Sequence, residues 1–328
     1  MRILLTGASG MLGRATALAL LAEGVELTVL QRRPSGLPCR EVLGDVADHG
    51  VVRQAAAGQD AVLHLAAKVD VVGPWAQFQR TNVGGTSAVI DACRVNRVPA
   101  LVHVSSPAVA HAGQPLVGAG AGAADSRRAR GHYARSKAIA ETLALRADSA
   151  QLAVLAIRPH LVWGPGDTQL VAPIVERARA RRLPLIGSGA ALIDTTYLDN
   201  AVDALLAAVR VCGEVHGEAL VVSNGEPRPV SEILQRVCRA AGVPGPRGRV
   251  PFPVANALGA VIEAGWAVSG RRDTPPLNRF LAGQLATAHW FDQRRTREAL
   301  RWRPRVSLAE GFARLAEHYS APIAPISN

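Results

Sequence analysis

The stretch Thr6-Gly7-Ala8-Ser9-Gly10-Met11-Leu12-Gly13 follows directly on the apolar run Ile3-Leu4-Leu5 and precedes an amphipathic segment from Arg14 to Glu23. Three glycines spaced three apart, between a strand pattern and a helix pattern, predict a β-turn-α unit that holds a dinucleotide pyrophosphate. Gly7 permits the tight turn, Gly10 lets the backbone approach the phosphates, and Gly13 lets helix and strand pack closely. The N–H groups at the start of the helix then face the anion with the positive end of the helix dipole. Ser9, Met11 and Leu12 complete this candidate cofactor loop.

A chain of 328 residues, with 48% hydrophobic residues and 4% aromatics, suits a large α/β core of Ala, Val and Leu. The formal charge of +11 would ordinarily raise nucleic acid as a partner. Yet Lys68 and Lys137 are the only lysines, and the arginines are scattered without interleaved aromatics for base stacking. The charge is a compositional bias, and nucleic acid is not an expected partner. Cys39, Cys93, Cys212 and Cys238 lie far apart with no metal-ligand spacing, so no metal is expected and free thiols in a reducing cytoplasm are. The apolar run before Thr6 is too short for a signal peptide, and glycines and prolines break the uncharged stretch from Pro99 to Ala124.

Leu27 to Leu30 reads as a second strand ending at Gln31-Arg32-Arg33. A carboxylate at this strand end binds the ribose 2′-hydroxyl of NAD; Gln31 is neutral, and Arg32 and Arg33 offer guanidinium forks for a 2′-phosphate, favouring NADP. Val42 to Val46 reads as a third strand that places Asp45 and Val46 near adenine. Asp60 to Ala67 reads as a fourth, with Ala66 and Ala67 where the cofactor crosses and His64 as a core histidine. The fifth, Ala100 to Ser106, ends in two hydroxyls at the carboxyl edge, where ligands sit in open parallel sheets.

A Gly/Ala-rich loop from Pro107 to Gly131 then leads into His132-Tyr133-Ala134-Arg135-Ser136-Lys137 at the start of a helix through Arg146. Tyr133 and Lys137 are four apart and share a helical face. A sixth strand, Leu152 to Ile157, runs to Arg158-Pro159-His160, and Glu218 to Val222 reads as a late strand. Val254 to Val268 reads as a helix apolar nearly all round, with Glu263 its only charge. Such a helix must bury both faces. Either it lies wholly inside the protein, or, with Pro275 to Leu285, it roofs a channel for long alkyl chains, Arg271 and Arg272 staying in water at its end.

The Thr6-to-Gly13 loop, Gly44-Asp45-Val46, His64 to Ala67, Asn82 to Thr86, Ser105-Ser106, Tyr133 to Lys137 and Arg158-Pro159 together resemble the extended short-chain dehydrogenase/reductase superfamily over nearly the whole chain. Val104 to Val109 and Arg158 to Asp167 look like its 3β-hydroxysteroid dehydrogenase branch. The runs Asn278 to Leu281 and Ala288 to Asp292 look like that branch's reductases of 2-alkyl-3-oxoalkanoates in bacterial long-chain olefin biosynthesis.

The resemblance implies an α/β fold, a Rossmann-type doubly wound parallel sheet with a smaller, mostly helical C-terminal substrate-binding lobe. It divides the chain into an NADP-binding part (1–165 and 190–225) and a substrate part (166–189 and 226–328). It implies NADPH-dependent ketone reduction with Ser106, Tyr133 and Lys137 catalytic, Lys137 drawing the phenol toward neutral pH, and Ser105 in reserve. Lys137 and Tyr133 also border the cofactor, and Pro159 and Val162 flank the nicotinamide. The implied partner is a long-chain 2-alkyl-3-oxo acid. A hydroxysteroid substrate, a non-catalytic NADP sensor, a homodimer, a complex with enzymes of the same pathway and peripheral membrane contact stay open. Nucleotide-sugar epimerases of the superfamily carry an arginine where Ile193 stands, which speaks against a sugar-nucleotide substrate.

Overall fold

The computed structural model describes residues 1–70, 72–111, 113–269 and 277–321, with 267–269 described by backbone alone. Seven parallel strands form the central sheet: β1 (Arg2–Thr6), β2 (Glu26–Gln31), β3 (Arg40–Leu43), β4 (Ala61–His64), β5 (Ala100–Val104), β6 (Ala153–Pro159) and β7 (Ala219–Val222). Their order is β7-β6-β5-β4-β1-β2-β3. The order reverses between β1 and β4, and ligands of such sheets bind in the crevice beyond the strand ends at that point.

The strands are near-continuous apolar runs because both sheet faces are covered. Alternate residues feed opposite layers. Ile3, Leu5, Leu63, Val102 and Leu155 join one core with Ala17 and Leu20 of the first helix and Leu205 of helix Leu198–Val211. Leu4, Val62, Leu101 and Val154 join the other, with Val52 of helix His49–Ala56 and Val89 of helix Gly85–Asn96.

A smaller four-stranded sheet orders Arg228–Pro229, Leu192–Ile193, His289–Phe291 and Leu116–Ala119. Its last strand comes from the Gly/Ala-rich loop after β5, so that loop is fastened onto the smaller sheet. The core beside it includes Trp163 stacked on Phe312, with ring centroids 4.5 Å apart.

The apolar helix spans Phe252–Ser269, and its position differs from the sequence-based expectation. A Cβ at Gly259 would lie 2.8 Å from the Asn278 carbonyl carbon, so this glycine lets the helix sit directly on the chain at Asn278-Arg279. Glu263 accepts from the Arg279 backbone N–H at 2.9 Å and from its Nε at 2.7 Å. The helix therefore backs the next one, Arg279–Ala286, while Val254, Leu258 and Val261 on its outer side are exposed. Arg271, Arg272 and the residues 275–276 lie outside the described residues. Among those described, no helix is long and apolar enough to cross a membrane.

Candidate active site

The glycine loop is shaped as its spacing predicts. Gly7 has φ +86°, and a Cβ there would lie 2.7 Å from the Ala66 backbone nitrogen; one at Gly13 would lie 2.1 Å from the Gly7 carbonyl oxygen. At Gly10 the nearest atom to such a Cβ is 3.8 Å away, leaving room for phosphate against the backbone. The first helix runs Met11–Ala22, and no side chain caps its start at Gly10. Its leading N–H groups are thus available to an anion. These residues fit a dinucleotide pyrophosphate.

Around the loop, Thr6 Oγ1 meets His64 Nδ1 at 2.7 Å and accepts from the Ala66 N–H at 3.1 Å, which fixes the turn into Ala66-Ala67. Burial holds the His64 pKa down to about 3, so His64 is a neutral core residue. Gln31, at the end of β2, is buried with neither side-chain polar atom hydrogen-bonded; Arg32 and Arg33 are exposed beyond it. Arg14 donates to the Ser35 carbonyl at 3.0 Å and pins the loop that carries them. The third strand stops at Leu43, leaving Asp45 and Val46 in the following turn; Asp45 accepts from Arg80 at 3.0 Å.

Helix Gly131–Arg146 brings Tyr133, Lys137 and Glu141 onto one face, four residues apart each time. Its buried positions are otherwise mostly Ala, which lets the helix lie close against the sheet. Asn82 locks its start: Nδ2 donates to Ser136 Oγ at 2.8 Å and to the Lys68 carbonyl at 3.1 Å. Lys137 Nζ is buried and donates to the Val104 carbonyl at 2.6 Å. Burial lowers the Lys137 pKa to about 8, against the opposing pull of Glu141. Tyr133 departs from the expected tuning. Burial raises its pKa above 10, and a hydrogen bond with Ser106, not the lysine, works the other way. The phenol is therefore a protonated donor at neutral pH.

Ser106, Tyr133 and Pro159 line one cavity of about 270 Å³, whereas Ser105 is buried with its hydroxyl unpartnered and does not line it. Leu161, also in the lining, holds φ +44°, a strained backbone that turns the chain between Pro159 and Val162. The remaining wall is mostly hydrocarbon, from Ile193, Val230, Leu234, Phe280 and Leu285 among others. The roof comes from helix Arg279–Ala286, within the expected segment to Leu285; among the described residues none of helix Phe252–Ser269 is in the lining, which corrects that part of the expected roof.

Several residues around the cavity take on contacts that their local sequence does not assign. Arg158, at the end of β6, donates from Nε to Glu141 Oε2 at 2.8 Å, and also to the Ala121 and Gly122 carbonyls. His111, His160 and His289 gather in the cavity wall from segments far apart in the chain. Among the described residues, no group of three or more His, Cys, Asp or Glu could hold a metal.

A seven-stranded Rossmann sheet with a pyrophosphate cradle, and a Tyr-Lys helix beside a largely apolar cavity, define a dinucleotide-dependent oxidoreductase of the short-chain dehydrogenase/reductase type. The chain belongs to the 3-beta hydroxysteroid dehydrogenase/isomerase family, whose profile matches residues 4–254. It is 40% identical over 329 residues to the 2-alkyl-3-oxoalkanoate reductase of Stenotrophomonas maltophilia (strain K279a), covering 96% of this chain and 98% of that protein. It is 35% identical over 325 residues to the 2-alkyl-3-oxoalkanoate reductase of Shewanella oneidensis (strain MR-1), covering 94% and 84%. In fold it is similar to the UDP-glucose 4-epimerase of Thermus thermophilus, with a TM-score of 0.71 at 24% identity, covering 98% and 100%.

Proposed function

We propose that the protein reduces 2-alkyl-3-oxoalkanoates to 2-alkyl-3-hydroxyalkanoates with NADPH, in long-chain olefin biosynthesis. The observation that carries this reading is the placing of Ser106 and Tyr133 together on the wall of a cavity lined mostly by hydrocarbon. The two relatives with that printed activity support the substrate class.

When bound, the cofactor supplies a hydride to the carbonyl carbon. Tyr133 gives its phenolic proton to the carbonyl oxygen, and Ser106 donates a hydrogen bond to that oxygen as charge builds on it. Lys137 holds the ribose hydroxyls. Gly7, Ser9, Gly10, Met11, Leu12 and Gly13 would hold the pyrophosphate, Asp45 and Val46 would border the adenine, Ala66 and Ala67 would lie where the cofactor crosses, and Pro159 and Val162 would flank the nicotinamide. Arg32 and Arg33 take the 2′-phosphate. Residues 1–165 and 190–225 form the cofactor part and the remainder the substrate part. Reduction removes the β-keto group that makes such acids prone to decarboxylate. All four cysteines are free thiols, which fits a cytoplasmic protein.

The family description favours a second reading, a 3β-hydroxysteroid substrate on the same residues. NADPH oxidation measured over a panel of 3-oxo acids and 3-oxosteroids tests both. Turnover of the acids above every steroid supports the first reading; the reverse order replaces it with the second.

A further inference from the structure

We infer that one corner of the cavity is a carboxylate site, with His111 Nε2 as the hydrogen-bond partner of the acid group. This rests on the reductase reading above and adds what the enzyme demands of its substrate beyond the ketone.

Three histidines line the cavity beside Ser106 and Tyr133. Two are already satisfied. His160 Nδ1 lies 2.5 Å from Asp194 Oδ1, whose other oxygen accepts from Ser223 Oγ at 2.7 Å and the Phe291 N–H at 3.0 Å. His289 Nε2 lies 2.9 Å from the Gln284 carbonyl, which can only accept, so that nitrogen carries a proton. His289 Nδ1 and His160 Nε2 are 3.1 Å apart, and their bond needs one further proton. The carboxylate of Asp194, already taking two other donors, is served by a proton on His160 Nδ1. Burial holds the His289 pKa down to about 3.

His111 is different. It is 8% exposed, its ring meets His289 edge-on with centroids 6.3 Å apart, and its Nε2 has no hydrogen-bond partner among the described residues. A buried polar atom left unpaired is costly, and the residue that carries this one lines the substrate cavity. The 3₁₀ turn Pro107–Val109 joins it to Ser106, and both residues line the cavity. In a 3-oxo acid a single carbon separates the ketone from the carboxyl carbon. A ketone held by Ser106 and Tyr133 therefore puts its carboxyl in this corner and its alkyl chains against the hydrocarbon wall.

The charged and titratable groups around His111 are Arg130 at the start of helix Gly131–Arg146, His160 with Asp194 behind it, His289, and Tyr133 in the same cavity wall. Burial, Arg130 and His160 lower the His111 pKa, while a backbone hydrogen bond with Gln114 opposes them. The free ring is neutral at pH 7, and pairing with a carboxylate takes up one proton onto Nε2. Acid recognition therefore weakens as pH rises, whereas recognition of an ester does not.

The test compares kcat/KM for a 2-alkyl-3-oxo acid and its methyl ester, with NADPH, from pH 6 to 8.5. The wild type is expected to favour the acid by about ten- to hundredfold at low pH, the range of a charge-assisted hydrogen bond. That ratio should fall toward one as pH rises. His111→Phe should bring the ratio near one at every pH, and His111→Gln, a donor that does not titrate, should make it independent of pH. An unchanged, pH-dependent ratio in both variants overturns the carboxylate site. Equal use of acid and ester by the wild type overturns it as well. Failure of the wild type to reduce either compound instead overturns the reductase reading.

Discussion

Arg158 and Glu141 form an ion pair that is fully out of water, with Arg158 Nη2 2.5 Å from Glu141 Oε1 and side-chain exposures of 1% and 0%. The pair joins the end of β6 to the helix that carries Tyr133 and Lys137, and Arg158 reaches on to the loop carbonyls of Ala121 and Gly122. Removing one partner strands a buried charge. Arg158→Met or Glu141→Leu alone should destabilise the fold by about 3–5 kcal/mol, while the double change Arg158→Met/Glu141→Leu should cost far less than the sum. Urea unfolding of the four proteins measures this, and simple additivity would argue against a coupled pair.

Lys137 should set a limb in the pH profile. In the proposed mechanism its charged form is the active one, and burial lowers its pKa to about 8, so kcat/KM should fall as pH rises through about 8. Lys137→Met should lower activity throughout and remove that limb. A limb near 10, where an exposed lysine titrates, would mean that the ammonium is not held in the buried position on the Val104 carbonyl.

Gly13 leaves no room for a side chain, since a Cβ would lie 2.1 Å from the Gly7 carbonyl oxygen. Gly13→Ala should therefore push the first helix off the glycine loop and weaken dinucleotide binding by at least about tenfold, a cost of roughly 1.4 kcal/mol. Titration of cofactor binding by fluorescence checks it. Unchanged affinity would show that the loop does not hold the pyrophosphate.

The proposed choice of NADPH rests on the end of β2. Arg32 and Arg33 are exposed there, and the neutral Gln31 presents no carboxylate to repel a phosphate. The wild type should prefer NADPH, and Arg32→Asp should abolish or reverse that preference. Equal kcat/KM for NADH and NADPH in the wild type would remove the basis for assigning these arginines to the phosphate.

The parts legible in the sequence are those set by local chemistry. Gly7, Gly10 and Gly13 announce a turn that only small residues can make, and the apolar runs from Ile3 and Ala100 announce strands buried on both faces. Tyr133 and Lys137 share a helix face by spacing alone, and Glu141 continues the same spacing, so its place was readable too. His160, Asp194 and His289 were not, because their contacts join segments up to 129 residues apart and no local pattern encodes that. The helix from Phe252 misleads for a related reason. Its composition calls for burial on all sides, yet Gly259 and Glu263 fasten one side onto Asn278-Arg279 and leave Val254, Leu258 and Val261 exposed.

Tyr133→Phe tests the proton transfer most directly. The change removes one hydroxyl from the cavity wall and almost no volume, leaving the glycine cradle untouched. The measurement is single-turnover NADPH oxidation with a 2-alkyl-3-oxo acid, alongside NADPH affinity. The expected result is a fall in the chemical step of about 10²–10⁴-fold, with cofactor affinity retained. A rate near that of the wild type would contradict Tyr133 as the proton donor, and with it the reaction assigned to this cavity.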